Sequence, residues 1–326
     1  MLARGDLAPV LKELDLSAEQ LANEIEVRLA KNDSIDISDL RVEEYRQFVS
    51  GVKAEGLDRE FEIRPQIVPA EISPWVSRVV KAVRLREVRA LRGFTRVQPP
   101  GDPESPSVAS LSLQKLDWLP AIEVRGEGIF LTLNDDALRK WEAQESVQDR
   151  AQKVDKKWQK EWVERHGPDA PPPKPISPRM LLVHTLAHAL MRQLTLDCGY
   201  SSTALRERLY VSDTPNVMAG LLIYTAATDD DGTLGGLQRQ GDPARIGRTV
   251  VAAIQSQAWC SSDPLCIEDL MAPDDGTSLA ACHACALAPE TACEEYNRFL
   301  DRAMLVGRPD NRSLGFFSAL LQGPLS

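Results

Sequence analysis

Cys260-Ser-Ser-Asp-Pro-Leu-Cys266, Cys282-His-Ala-Cys285 and, after Ala-Leu-Ala-Pro-Glu-Thr-Ala, Cys293 hold five of the six cysteines in a chain of 326 residues. Thiolates are soft ligands that suit zinc, and two thiols separated by two residues can grip one tetrahedral ion from a tight turn. Five sulfurs compete for four places. The spacing favours Cys266, Cys282, Cys285 and Cys293, with Cys260 as the substitute. A disulfide framework belongs to small secreted domains. A redox Cys-x-x-Cys normally opens a helix after a strand, whereas this pair sits in an irregular cysteine-dense stretch. Buried, unligated thiols would leave the crowding unexplained. A closed four-thiolate zinc site would fold its segment and catalyse nothing, because no position stays open for water.

Outward from that cluster the composition is that of an ordinary globular protein, with 43% hydrophobic and 26% charged residues. The net charge of -10 argues against coating nucleic acid by charge alone. No apolar run reaches bilayer length. The opening residues Met-Leu-Ala-Arg-Gly-Asp carry no apolar signal core, which points to a reducing cytoplasm.

The clearest linker is Gly167-Pro-Asp-Ala-Pro-Pro-Pro-Lys-Pro-Ile-Ser-Pro178, half of it proline and therefore extended. It divides the chain into a mixed helix and strand region, 1–166, a linker, 167–178, and a domain, 179–326, that contains the cysteines. The fold class that follows is α+β and helix-rich: a mixed N-terminal region plus a C-terminal α/β domain with a four-cysteine zinc site. A capping box at Ser17 and Gln20 starts a short helix through Leu21 and Ile25. A second helix covers 42–52, and 61–69 is an edge strand or connector because prolines interrupt it. Residues 98–109 are a loop, and 118–133 read as two strands around a Gly126 to Gly128 turn. Residues 135–165 form one or two exposed helices, with Trp158 and Trp162 on one face to dock them. Residues 179–196 are apolar on most sides and read as a buried helix that Gly199 can cap. A short helix over 202–209, a strand from Leu221, a helix from Pro243 to Gln257 and a helix over 294–306 complete the reading.

Three other features invite chemistry. Residues 75–97 carry Arg78, Lys81, Arg84, Arg86, Arg89, Arg92 and Arg96, opposed locally only by Glu87. Such a stripe can meet DNA or an acidic partner, or simply be a solvated face whose stems cover a core edge. His184 and His188 share one helical face, but Thr185 stands where a metalloprotease needs glutamate, so two hydrogen-bonded core histidines are the first reading. The alternative is a metal-dependent nuclease or hydrolase using His184, His188 and the acidic run Asp229, Asp230 and Asp231. The loop from Gly232 to Gly236 lacks the residues of a Walker A motif and reads as a structural turn. Cys198, next to Gly199, belongs to the core.

His184-Thr-Leu-Ala-His188, Asp231-Gly-Thr-Leu-Gly-Gly236, Ser262-Asp-Pro-Leu-Cys266, Cys282-His-Ala-Cys285 and Cys293-Glu-Glu-Tyr-Asn-Arg-Phe-Leu-Asp-Arg302 together resemble the MrfA zinc-binding domain family, and within it the DrmB-like subunits of the DISARM anti-phage system. Arg86-Glu-Val-Arg-Ala-Leu-Arg-Gly-Phe-Thr-Arg96 and Trp118-Leu-Pro-Ala-Ile-Glu-Val-Arg-Gly-Glu-Gly128 resemble the same subunits. The resemblance implies structural zinc on four cysteines, a role carried onto Cys266, Cys282, Cys285 and Cys293. It also implies a protein that accompanies a DrmA-like superfamily 2 helicase on DNA, and the lack of Walker A and DEAD-type motifs makes a non-enzymatic partner the first expectation. The chain is short for a DrmB-like subunit, as a split or shortened form would be.

Overall fold

The computed structural model describes residues 37–51, 60–94, 109–114, 116–169, 173–214, 216–225, 235–270 and 277–322. The helix expected near Leu21 and most of the 98–109 loop lie outside them, as do Arg96, Asp229, Asp230 and Asp231. Helix α1 (Ile37–Ser50) is followed by β1 (Glu62–Gln66), β2 (Val76–Ala90), the two-residue pair β3 (Gly93–Phe94) and β4 (Ala109–Ser110), and β5 (Ala121–Leu133). Helices α2 (Asp135–Glu142), α3 (Glu145–His166) and α4 (Pro178–Cys198) come next. Then come β6 (Leu205–Ser212), β7 (Met218–Thr225), α5 (Pro243–Gln257) and the single turn α6 (Ala303–Val306). Contacts group Gln47–Ser326 into one unit.

Within that unit a five-stranded antiparallel sheet runs in the order β1-β2-β5-β7-β6. The two faces follow from period-two patterning. Val79, Leu131, Leu221 and Leu209 align across four strands and face the core shared with α4 and α5. Val80, Phe130 and Leu222 align on the other face, where Phe48 at the end of α1 stacks on Phe130 at 4.6 Å and Tyr210 meets the same ring edge-on. β1, with Pro65 inside it, takes the edge, where a missing N–H is tolerated.

The sheet crosses the proline-rich segment: β5 lies before it and pairs with β7 after it. The spacer therefore joins α3 to α4 within one shared sheet, and proline content did not reveal that long-range pairing. Residues 121–133 are one continuous strand, without the turn expected at the glycines. Gly126 and Gly128 serve close packing: a Cβ at Gly126 would lie 1.7 Å from the Thr225 carbonyl oxygen, and one at Gly128 would lie 2.7 Å from that of Ile223. Gly126→Ala is expected to cost about 1–3 kcal/mol, because backbone must move, as in overpacked cores. Urea unfolding of the variant beside the parent checks it.

Two expected helices are absent. Residues 205–212 form a strand because Leu205, Glu207 and Leu209 alternate inward. Residues 294–302 turn irregularly, with positive φ at Tyr296, Asn297 and Phe299, and only Ala303–Val306 is helical. Helix α4 matches its reading: Ser177 accepts a hydrogen bond from the Met180 N–H, Pro178 sits in the first turn, and Gly199 closes the end at φ 73°. Trp158 docks α3 edge-on against Phe299 at 5.3 Å.

Candidate metal centres and charged strand

The loop that ends α5 brings Cys260 and Cys266 to the knuckle Cys282-His-Ala-Cys285. The knuckle closes through the Cys285 and Ala286 N–H groups, which donate to the Cys282 carbonyl at 3.2 and 2.9 Å. Asp263 shapes the upstream loop, accepting from the Cys260 N–H at 2.9 Å and the Ile267 N–H at 3.1 Å. Its carboxylate pairs with Arg302, which is wholly buried and also donates to the Gln257 carbonyl at 2.8 Å. Sulfur separations are 3.5 Å for Cys260 and Cys282, 3.6 Å for Cys266 and Cys285, and 3.7 Å for Cys282 and Cys285. All four ligand sulfurs lie within 4.8 Å of one another and are buried.

These distances fit one ion. Tetrahedral Zn–S bonds of about 2.3 Å put sulfurs about 3.8 Å apart, whereas a disulfide would need about 2.05 Å. A hydrogen bond from Cys285, assisted by the Arg302 guanidinium, lowers the Cys266 thiol to about 6, and that same hydrogen bond, together with burial, pushes Cys285 upward. A dication bound among them would hold all four sulfurs as thiolates. His283, inside the knuckle, is exposed.

The fourth sulfur is Cys260. Cys293, favoured by sequence, sits elsewhere: its sulfur is 3.2 Å from His184 Nε2. Cys266 draws Cys260 along, since Asp263 binds the loop between them, while Cys293 follows a separate turn, Glu290–Ala292. His184 Nε2 is also 3.1 Å from Glu207 Oε1, and His188 Nε2 is 3.6 Å from Glu207 Oε2. This second group, His184, His188, Glu207 and Cys293, is buried, with all four ligand atoms within 4.8 Å. Burial opposes charge here, yet the Glu207 carboxylate holds His184 well above the imidazole range and raises His188 to about 9. Against the same burial the two imidazoles hold Glu207 below the carboxylate range, and His184 lowers Cys293. Sequence reasoning missed Glu207 because 202–209 read as a helix; the alternation Leu205-Arg-Glu-Arg-Leu209 was the signal that places it on the inward face.

Strand β2 carries most of the basic stretch; Lys81, Arg84 and Arg86 find partners on other segments, and Arg89 on its own strand. Lys81 meets Asp242 at 2.6 Å, Arg84 meets Glu62 at 3.1 Å, and Arg89 meets Glu87 at 2.6 Å. Arg86 bridges Glu60 and Glu123. Arg78 and Arg92 are exposed, with no ion pair among the described residues. Beyond Gly126 the β2–β5 hairpin exposes Val88, Leu91, Trp118 and Ile122.

A closed sulfur knuckle held against α4 and α5, where Arg192 and Gln257 donate to the Ala284 and Cys285 carbonyls at 2.7 and 3.2 Å, defines a zinc-stabilised scaffold class, and the MrfA Zn-binding domain family model matches residues 186–286. That match spans all four clustered cysteines. The chain is similar to DISARM protein DrmB of Bacillus paralicheniformis, with 37% identity over 301 residues, covering 90% of this chain and 52% of the relative. The chain thus spans about half the length of the curated relative it matches. The cofactor is structural zinc, supported by the matched domain and the four buried thiols. Among the described residues no helix is long and apolar enough to cross a membrane.

Proposed function

We propose that this chain is a non-enzymatic, zinc-stabilised subunit of a cytoplasmic anti-phage defence complex that supports DNA engagement by a superfamily 2 helicase of the DrmA-like kind. The observation that carries the reading is the 37% identity to DISARM protein DrmB along 90% of the chain. Cys260, Cys266, Cys282 and Cys285 would hold the ion as a closed set, leaving no site for water or substrate. Zinc there supplies rigidity, joining the loop after α5 to the knuckle. The exposed apolar end of the β2–β5 hairpin supports partner contact, since such surfaces are usually covered by another protein. DNA contact within the basic stretch falls first to Arg78 and Arg92, because Lys81, Arg84, Arg86 and Arg89 already hold carboxylates. The hydrolase alternative draws no support from His184 and His188, which are wholly buried beyond the reach of a substrate.

Reconstitution with a DrmA-like superfamily 2 helicase tests the reading. The two should copurify, and the isolated chain should hydrolyse no ATP. Arg78→Glu with Arg92→Glu should weaken DNA binding by the complex and reduce its salt slope by about two. Arg86→Glu should change it less. Nucleotide hydrolysis by the isolated chain, or failure to associate, would overturn the proposal.

A further inference from the structure

We propose that His184, His188, Glu207 and Cys293 form a second, closed metal site that binds zinc. The four donors come from three separate elements: His184 and His188 from adjacent turns of α4, Glu207 from β6, and Cys293 from the turn after Glu290–Ala292. Their ligand atoms converge within 4.8 Å and are shielded from solvent. His188 Nε2 and Glu207 Oε2 are buried there without a hydrogen-bond partner, and His184 Nδ1 is a further orphan. Buried polar atoms normally find partners, so two orphans facing one another at 3.6 Å ask for something between them.

Outer contacts point the same way. His188 Nδ1 lies 2.7 Å from the Ala286 carbonyl, so that nitrogen is the donor and Nε2 is the one turned to the cluster, where a metal would displace its proton. The Asn297 N–H donates to Cys293 Sγ at 3.2 Å, and the Glu294 N–H donates to Glu207 Oε1 at 3.1 Å. Metal-bound imidazoles and carboxylates are held by such second contacts. Charge agrees as well: one carboxylate and one thiolate balance a dication, while both imidazoles stay neutral. Mixed nitrogen, oxygen and sulfur donors suit zinc better than magnesium or calcium, which prefer oxygen alone. With four protein ligands and no exposure the site is structural. It would pin α4 and β6 to the segment that leaves the thiolate knuckle, whose Ala286 already touches His188. None of the four knuckle thiolates enters this second site, and its metal binding does not depend on a helicase partner.

Zinc content and zinc X-ray absorption of the full chain, purified without chelator, provide the test. Two sites predict about two zinc ions per chain, with five sulfurs and three nitrogen or oxygen donors shared between them. Cys293→Ser should lose one ion and leave an all-sulfur shell. One zinc with an all-sulfur shell in the parent chain would overturn the second site and leave the four-thiolate site standing. No zinc at all would overturn both. If Cys293→Ser does not fold, the spectrum of the parent chain decides alone. If the variant folds and keeps both ions and the mixed shell, the assignment fails.

Discussion

Cys285→Ser is expected to lose the thiolate-bound zinc and turn the segment from Cys260 to Leu300 into a ready protease substrate. The reason is how few apolar side chains surround the sulfurs themselves, although Ile267, Leu279 and Phe299 join the main core. The core around the four sulfurs consists, besides the cysteines, of Ala281, Ala286 and Leu300, with Leu287 half-buried against it. One buried leucine contributes about 1.5–3 kcal/mol. Structural zinc binding is worth about 10–16 kcal/mol, comparable with the whole stability of many domains, about 5–15 kcal/mol. Removing a central ligand therefore removes the dominant stabilising contribution. Acid should act in the same direction, because protons compete with the metal for thiolate. Cys260→Ser should behave like Cys285→Ser. Cys198→Ser should change little, since that half-buried sulfur only approaches the Gly236 carbonyl at 3.9 Å. Metal analysis combined with limited proteolysis reads all three. A Cys285→Ser protein with full zinc and unchanged protease resistance would remove the basis for a metal-built segment.

The cysteine chemistry was legible because ligand spacing is local. Cys282 and Cys285 lie on one turn, and Cys266 needs only to approach it. That both Cys260 and Cys266 join the knuckle while Cys293 leaves it was not legible. It depends on Asp263 folding the upstream loop and on α4 and β6 capturing Cys293, contacts that bridge up to 109 residues. Helix α4 could be read from its all-round apolar run, α5 from its proline start, and β1 from its interrupted alternation. Gly126 and Gly128 misled because glycine marks both turns and close strand approach, and only the neighbour, Thr225 or Ile223, tells which. The carboxylates that meet the arginine stripe were not legible either, because Glu60, Glu62, Glu123 and Asp242 reach Lys81, Arg84 and Arg86 from other segments. Glu207 was hidden by a wrong period, since a helical reading disperses the residues that a strand aligns.

Arg150→Met is expected to lower stability by about 3–5 kcal/mol, the usual cost of leaving one partner of a buried ion pair behind. Arg150 on α3 is 5% exposed and reaches two carboxylates. Its Nη2 donates to Asp269 Oδ1 at 2.6 Å and to Asp301 Oδ1 at 3.0 Å, its Nη1 to Asp269 Oδ2 at 3.1 Å, and its Nε to Asp301. Burial works against the guanidinium charge, but Asp301 and Asp269 outweigh it and raise its pKa further. Asp301 is wholly buried, and in the variant its remaining partner among the described residues would be the Ala303 N–H at 3.0 Å. A carboxylate so placed must stay charged without a cation or take up a proton, and either costs free energy. Methionine has nearly the same reach, so the loss reflects charge and hydrogen bonding more than volume. Adding Asp301→Asn removes the stranded charge and should recover part of the loss, a coupling that a double-mutant cycle measures. In thermal unfolding the single variant should melt on the order of 10 °C below the parent, with the double variant between them. A single variant within about 2 °C of the parent would show that Arg150 does not clamp α3 to this segment. The clamp matters because Asp269 follows Cys266 by three residues and Asp301 directly precedes Arg302, whose partner Asp263 shapes the Cys260 loop. Through these three carboxylates, α3 and the buried arginines hold in place the backbone that presents sulfur to the metal.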